Sequence, residues 1–413
     1  MGFNEDGGTG VRRPDEHEII PVCRRLSSVL AGGPRIPHDG FPVGRRGRCG
    51  IARASMSSPS QAPAQWLVRI SEVFAPFTGE ILTALGASAA KPLGSEYQLV
   101  KLADPAALHD SRAAKFVRWN LPVHHAWPCN PKKMDGFVEK AAQAIFRKFG
   151  STCPQALLFG PLDPSAPHPY YKTLASNLRG RTLQLFPRLA GAPDAEAQSP
   201  DAPTLFCLVG KEGLFCGLQS PKDSNGFFPG GTKYISQSAA STISRAGAKI
   251  AEALHYLRLH RPPIAPGSHW LELGASPGGM TSELLQRGFR VTAVDRAPLD
   301  ARLKNAPGLT FAHGDAATFT PAAGERFDAL LSDMNGDARD SIGHVIRLSR
   351  QLRPGGLVVF TLKTPNVTTV GEADALFDEV DTLADRAGLR LFARTHLTYN
   401  RQEFTLFFEL ETD

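Results

Sequence analysis

The sequence predicts an α/β protein whose C-terminal part is a doubly wound, largely parallel sheet closed by an antiparallel hairpin, with two smaller α+β units before it. Three observations carry this prediction. After residue 241, short apolar runs alternate with amphipathic helical stretches, the rhythm of βαβ units. The last two runs, Leu389–Thr395 and Glu403–Leu410, are joined by a short polar link and read as a hairpin. Before residue 241, strands and helices follow one another in shorter, mixed groups.

Length and composition set the frame. A chain of 413 residues is too long for one core and suits two or three domains. Its 42% hydrophobic and 21% charged residues describe an ordinary globular protein. No apolar run approaches the length of a membrane span, so a cytoplasmic protein is expected. Six cysteines lie at 23, 49, 129, 153, 207 and 216 with no CxxC pair, which excludes zinc-ribbon and thioredoxin readings and predicts reduced thiols. The net charge of +6 is uneven: residues 241–413 hold 19 Lys and Arg against 21 Asp and Glu, and residues 1–240 hold 27 against 19. A basic front half on a neutral back half suits a polyanion-binding part joined to a catalytic part, although a compositional taste for Arg gives the same counts.

Residues 1–63 stand apart. Residues 1–62 contain nine Arg and no Lys, and no apolar core of signal-peptide length. They read as a disordered basic extension or as sequence upstream of a true start at Met56. From 64 to 150 we expect a first α+β domain, with a strand at Trp66–Ile70 and helices at Gly79–Leu85 and Asp135–Phe149. The second of these places Phe137, Ala141, Ile145 and Phe149 on one stripe. From 151 to 240 a second α+β unit is expected, with a strand at Ala156–Phe159 and a helix near Tyr170–Arg179. Strands Thr204–Val209 and Leu214–Leu218 pair across the turn Gly210–Gly213. The Pro/Ala/Asp-rich stretch 190–203 reads as a loop. In 241–413, strands are expected at Trp270–Leu273, Arg290–Val294, Thr310–Phe311, Ala329–Leu331 and Leu357–Leu362, with helices at Asp340–Leu352 and Gly371–Ala387 between them.

The stretch from Trp270 to Asp295 is the most informative. A strand runs into Glu272-Leu273-Gly274-Ala275-Ser276-Pro277-Gly278-Gly279-Met280, then a helix, then a strand ending in Asp295. Glycines at such a turn let the backbone approach a ligand and aim helix amides at it. An acidic residue about 20 positions later suits a pair of ribose hydroxyls. Ser276 stands where a dinucleotide fingerprint has its second glycine, which disfavours a pyrophosphate and favours S-adenosyl-L-methionine. Asp315 and Ala316, after the third strand, are placed to reach an adenine edge. The plain alternative is a structural glycine turn with no nucleotide.

Charged residues at the carboxyl ends of strands carry the rest, because open α/β sheets place their chemistry there. Asp333 follows Ala329–Ser332, and Lys363 follows Leu357–Leu362. Lys249 lies on the helix entering the domain, and Glu403 opens the last strand. Each alone is more often a surface charge. Together, Ser244-Arg245 with Lys249, the loop Glu272–Gly279, Ser332-Asp333-Met334, Leu362-Lys363 and Arg401-Gln402-Glu403 resemble the motifs of the FtsJ-like RNA 2'-O-ribose methyltransferases. The resemblance implies a Rossmann-like methyltransferase domain. It also implies a catalytic tetrad of Lys249, Asp333, Lys363 and Glu403, with Asp333 bordering the cofactor as well. Met280 departs from the family, which commonly has Trp there. Leu214–Lys233, with Ser224-Asn225-Gly226-Phe227-Phe228-Pro229-Gly230, is similar to the segment before the catalytic domain in the THUMP-bearing RlmM branch. That branch carries a ferredoxin-like unit, then a THUMP unit, and methylates large-subunit ribosomal RNA.

The resemblance implies S-adenosyl-L-methionine as cofactor, structured RNA (23S-type ribosomal RNA first) as partner, and no metal. In this reading Lys363, with a depressed pKa, takes the proton of the 2'-hydroxyl. Lys132, Lys133, Arg179, Arg181, Lys222 and Lys233 are candidate phosphate contacts, whereas Phe227-Phe228 reads first as interdomain packing. The pair His124-His125 near Cys129 is more simply a surface pair than a metal site. Two alternatives stay open: transfer to the ribose of another RNA such as tRNA, and a non-catalytic ribosome-assembly factor that retains the fold. Base-carbon methylation is disfavoured because residues 241–413 contain no cysteine nucleophile.

Overall fold

The computed structural model describes residues 65–163, 169–189, 191–192, 194–235, 242–365 and 367–411. The expected N-terminal extension and the start at Met56 lie outside these residues.

The first unit is one four-stranded antiparallel sheet. Strands β1 (Trp66–Ile70), β2 (Ala87–Leu93), β3 (Tyr97–Leu102) and β4 (Val117–Pro122) take the order β2-β3-β1-β4. Helix α1 (Thr78–Ala84) joins β1 to β2, and the short helix α2 (Ala107–Asp110) precedes β4. This is the split βαβ arrangement expected of a ferredoxin-like unit.

The second sheet runs β5-β8-β7-β6, from β5 (His125–Trp127), β6 (Ala156–Pro161), β7 (Thr204–Gly210) and β8 (Gly213–Gln219). Strands β7 and β8 pair across a two-residue turn with Gly210 opposite Gly213, as their sequence predicts. Helices α3 (Met134–Phe149) and α4 (Tyr170–Leu185) cover this sheet. The predicted stripe Phe137, Ala141, Ile145 and Phe149 is buried, but against Leu157, Leu174, Leu178 and Leu205 of the second unit. The boundary expected at 150 therefore falls between β4 and β5. Periodicity identifies a helix's buried face but carries no information about which sheet receives it.

The C-terminal sheet holds seven strands in the order β11-β10-β9-β12-β13-β15-β14. They are β9 (His269–Leu273), β10 (Arg290–Asp295), β11 (Leu309–His313), β12 (Phe327–Ser332), β13 (Leu352–Lys363), β14 (Leu389–Thr395) and β15 (Glu403–Leu410). The first five are parallel, and β15 inserts antiparallel between β13 and β14. Helices α5 (Ala246–Leu257), α6 (Gly279–Gln286), α7 (Ala338–Ser349) and α8 (Val370–Asp385) complete a doubly wound layer structure. Central strands such as Leu357–Leu362 are apolar on both faces because helices cover both.

Strand β13 starts five residues earlier than expected. Residues 353–356 form an irregularity within it, where the pairing shifts between Phe327 opposite Leu352 and Ala329 opposite Leu357. Gly355 supplies the left-handed residue this needs, at φ +71°. The chain winds outward from β9 to β11, then crosses to β12, so its direction reverses between β9 and β12. At such a switch point the strand ends leave a crevice open to ligands.

The first two units meet where Gly217 of β8 faces the end of β4. A Cβ on Gly217 lies 2.0 Å from the Pro122 carbonyl oxygen and 2.7 Å from Leu121 Cγ. Both neighbours are fixed, one of them backbone. Gly217→Ala should therefore lower stability by about 1–3 kcal/mol, the range for overpacking a filled interior. Urea unfolding of the two proteins measures it, with an unchanged midpoint as the contrary result.

Candidate active site

Four charged side chains converge at the carboxyl end of the sheet. Lys249 sits in the first turn of α5, whose apolar residues Ile250, Ala253 and Leu257 pack inward. Asp333 follows β12, Lys363 ends β13 and Glu403 begins β15. Lys363 and Glu403 are direct cross-strand partners. Lys249 Nζ donates to both Asp333 oxygens at 3.2 Å and reaches Glu403 Oε1 at 2.5 Å. Lys363 Nζ donates to Asp333 Oδ1 at 2.9 Å and to Glu403 Oε2 at 2.6 Å. Each lysine thus touches both carboxylates, in a ring of alternating charge. The structure brings together all four residues singled out in the sequence.

The electrostatics differ from expectation at one point. Burial works to lower the Lys363 pKa, but the charges of Asp333 and Glu403 and their hydrogen bonds overcome it and hold the ammonium above its usual range. The depressed value expected for Lys363 is not what this arrangement produces. For Glu403, burial works upward, yet Lys249 and Lys363 hold its carboxyl below the ordinary value. The sign of the linkage follows. Glu403 stabilises the fold above the usual carboxylate pKa and loses that contribution as pH falls through its folded value. Lys363 stabilises below the usual lysine pKa and loses its contribution as pH rises through its folded value.

Beside the ring lies a cleft of about 280 Å³ at the switch point. It is lined by Glu272, Gly274, Ala275, Ser276, Pro277, Gly279, Met280, Asp295, Asp315, Ala316, Asp333 and Lys363. Of the residues predicted to hold a cofactor, only Gly278 does not line it. Gly278 caps α6 at φ +103°, and a Cβ there lies 2.3 Å from Leu303 Cδ1, so its task is the turn itself. Gly274, at φ +78°, passes Met334 so closely that a Cβ lies 3.0 Å from its Cα. Asp295 ends β10, where its two oxygens accept from Ser276 N at 2.9 Å and Ala297 N at 2.7 Å. Asp315 accepts from Ala317 N at 2.9 Å.

Glu272 is fully buried, and Thr281 Oγ1 of α6 donates to it at 2.7 Å. Burial is the main cause that pushes its carboxyl up to about 8, against that hydrogen bond, and the charges of Asp333 and Asp295 add to the rise. It is therefore mostly protonated at neutral pH and can donate a hydrogen bond.

On the other side of the ring a second, larger cleft of about 820 Å³ opens. Lys249, Lys363 and Glu403 line it, with Arg245, Asn335, Gly336 and the connection Thr398–Gln402. Lys363, Ala246 and Asn335 line both clefts, so the ring lies at their seam. The sequence reading assigned no role to Asn335 and passed over Thr398–Asn400. Their only signal was position, two residues past Asp333 and just ahead of Glu403.

Of the candidate phosphate contacts, Lys132, Lys133 and Lys222 are exposed. Arg181 is paired with Glu139 at 2.6 Å, and Lys233 with Glu196. Phe227 is buried against His255, with the Arg258 guanidinium 4.7 Å above its ring, as interdomain packing requires. His124 Nδ1 accepts from Leu218 N at 3.1 Å. Among the described residues no group of three or more His, Cys, Asp or Glu is arranged to hold a metal ion, and no helix is long and apolar enough to cross a membrane.

Parts of the chain resemble known proteins. Residues 242–376 match the family of FtsJ-like methyltransferases. The chain is 32% identical over 164 residues to ribosomal RNA large subunit methyltransferase M of Halorhodospira halophila, covering 40% of this chain and 46% of that protein. It is 26% identical over 245 residues to the protein of the same name from a Shewanella species, covering 57% of this chain and 66% of the relative. The matched part is thus less than two thirds of either relative. Among solved structures, Aeropyrum pernix fibrillarin in complex with S-adenosyl-L-methionine aligns over 52% of this chain and 87% of its own, at 17% identity and a TM-score of 0.32. The family match spans Lys249, the loop Glu272–Gly279, Asp333 and Lys363, whereas Glu403 lies beyond it.

Glu272 makes a testable prediction. Because its folded pKa lies above its unfolded one, the folded state binds more protons between about 4.5 and 8, and stability falls as pH rises through that window. Glu272→Gln keeps an acceptor for Thr281 and removes the titration. Its melting temperature relative to wild type should rise from pH 5 to pH 8 in ligand-free protein. A difference that is flat with pH contradicts the assignment.

Proposed function

We propose that the protein transfers the methyl group of S-adenosyl-L-methionine to a ribose 2'-hydroxyl of RNA in the cytoplasm, with large-subunit ribosomal RNA as its substrate. One observation carries this reading: the Lys249–Asp333–Lys363–Glu403 ring stands at the seam between a glycine-walled cleft and an open polar one. The names of the relatives support the substrate class, and the basic excess of residues 1–240 fits a polyanion.

The cleft residues fit the donor. Asp295 at the end of β10 presents a carboxylate where a ribose diol needs acceptors, and the 274–279 backbone leaves room beside it. Asp315 and Ala316 border the opposite wall, and protonated Glu272 offers a donor at the floor. The donor supplies an already activated methyl group, so the protein need only align the acceptor and remove one proton. No metal enters this scheme.

A ribose hydroxyl entering from the open cleft meets Lys363 first. In this reading neutral Lys363 accepts the hydroxyl proton. Asp333 and Glu403 hold its nitrogen in place, and Lys249 fixes both carboxylates. The same carboxylates keep Lys363 protonated in most molecules at neutral pH. The active fraction therefore grows as pH rises. THUMP-like capture of structured RNA by the second unit, and of its phosphates by Lys132, Lys133 and Lys222, belongs to the same proposal.

Methyl transfer from labelled S-adenosyl-L-methionine to ribosomal RNA of a strain lacking the gene tests the reading, with the modified sugar located by alkaline-resistant linkage. Lys363→Ala should lower kcat at least 1000-fold while donor affinity by calorimetry stays within about threefold, and normal turnover would refute the role. For wild type, kcat should climb continuously from pH 7 to pH 9. A plateau below pH 8 would mean that Lys363 is not the group titrating. Asp295→Ala should weaken donor binding about 10- to 100-fold, the loss of two hydrogen bonds to a charged acceptor.

A further inference from the structure

The connection between β14 and β15 forms a wall of the open cleft and delivers Glu403. It is anchored by a residue pair outside the catalytic ring. Glu252 lies on α5 one turn after Lys249 and is 1% exposed. Its Oε2 accepts from Thr398 N at 2.8 Å, and its Oε1 accepts from Thr398 Oγ1 at 2.7 Å. A carboxylate this deep is untenable without a cation, and the cation comes from another part of the chain. Arg118 of β4, 4% exposed, reaches Glu252 Oε1 at 2.6 Å, donates to Thr395 Oγ1 at 3.2 Å and bonds the Gly231 carbonyl.

A single helix thus grips the same connection twice, through Lys249 on Glu403 and through Glu252 on Thr398. The first unit adds an apolar contact, since Phe74 stacks on Phe404 with ring centroids 5.1 Å apart. Within the connection, His396 Nε2 bonds the Arg401 carbonyl at 2.8 Å, and Thr364 N donates to Gln402 O at 2.9 Å. These local bonds shape the turn. Among the described residues, the Glu252 hydrogen bonds tie Thr398 to α5, and Arg118 ties that helix to the N-terminal sheet.

We infer that Arg118 and Glu252 are positioning residues: their buried pair locks Thr398, and through it Glu403 and the acceptor wall, to a strand of the first unit. The N-terminal sheet is then a working part of the catalytic centre. Displacing that sheet loosens Glu403 without touching the donor cleft. The catalytic half of this inference rests on the proposed methyl transfer, whereas the anchoring half does not.

Replacing one partner strands a buried charge, so the informative variant is Arg118→Met with Glu252→Met, which removes both charges at similar volume. In the full-length protein, hydrogen–deuterium exchange of the peptide spanning 396–404 should accelerate at least tenfold, with α6 and β9 unchanged. In the methyl-transfer assay kcat should fall at least tenfold, with donor affinity and the RNA KM within about threefold. Thr398→Val should move exchange and kcat in the same direction, and Thr398→Ser, which keeps the hydroxyl, should restore both. Unaltered exchange at 396–404 in the double variant overturns the anchoring. Accelerated exchange with kcat within twofold of wild type overturns the catalytic consequence. If the double variant does not fold, the Thr398 pair decides: Val and Ser behaving alike overturns the inference. A wild-type protein that transfers no methyl group instead sinks the proposed function and leaves the exchange result to judge the anchor.

Discussion

Two lysines and two carboxylates, each lysine bonded to both acids, are the constraint on which this architecture turns. An isolated buried charge is strongly unfavourable, and a buried pair roughly breaks even with apolar packing. A neutral ring of four distributes the attraction over every neighbour and leaves no charge unmatched. It also requires four separate chain segments to arrive at one point with side chains in register: the first turn of α5, the ends of β12 and β13, and the start of β15. The parallel order of the sheet and the antiparallel insertion of β15 meet that requirement together. Were β15 paired one residue out of register, Glu403 would turn to the opposite face of the sheet.

The ring shapes reactivity through its balance. Its acids raise the proton affinity of Lys363 and hold it as the ammonium, so the arrangement gives priority to orientation over the supply of free base. Positioning is the larger resource for a reaction in which the electrophile is already activated, because aligning two groups contributes many kilocalories while general base catalysis contributes two to four powers of ten. Glu272 shows the opposite use of burial. Buried and with two acids nearby, it retains its proton, and one domain thereby holds a carboxyl in each protonation state within a short distance.

Much of this was legible in the residues. Strands β14 and β15 ended where their apolar patterns ended, and the glycine turn with Asp295 marked the donor cleft because few residues other than glycine tolerate its backbone angles. Asp333, Lys363 and Glu403 were visible because charges at the ends of apolar strands are conspicuous, and Lys249 on its helix through the motif resemblance. Three features were hidden for physical reasons. The Met134–Phe149 helix has one apolar face whichever sheet it covers, so its membership of the second unit required tertiary contacts. The Lys363 pKa depends on two acids 30 and 40 residues distant, whose proximity sets the sign of the shift. Arg118 and Glu252 look like surface charges in a sequence, since nothing local announces that a chain separation of 134 residues closes to bring them together in the interior.

The insertion of β15 has a temporal meaning. Strands β13 and β14 precede β15 in the chain, yet each pairs with β15 and not with the other. Until β15 is made and inserted, these two strands have no shared partner and the ring lacks Glu403. In the proposed reaction, a product truncated before Glu403 lacks one member of the ring and is inert.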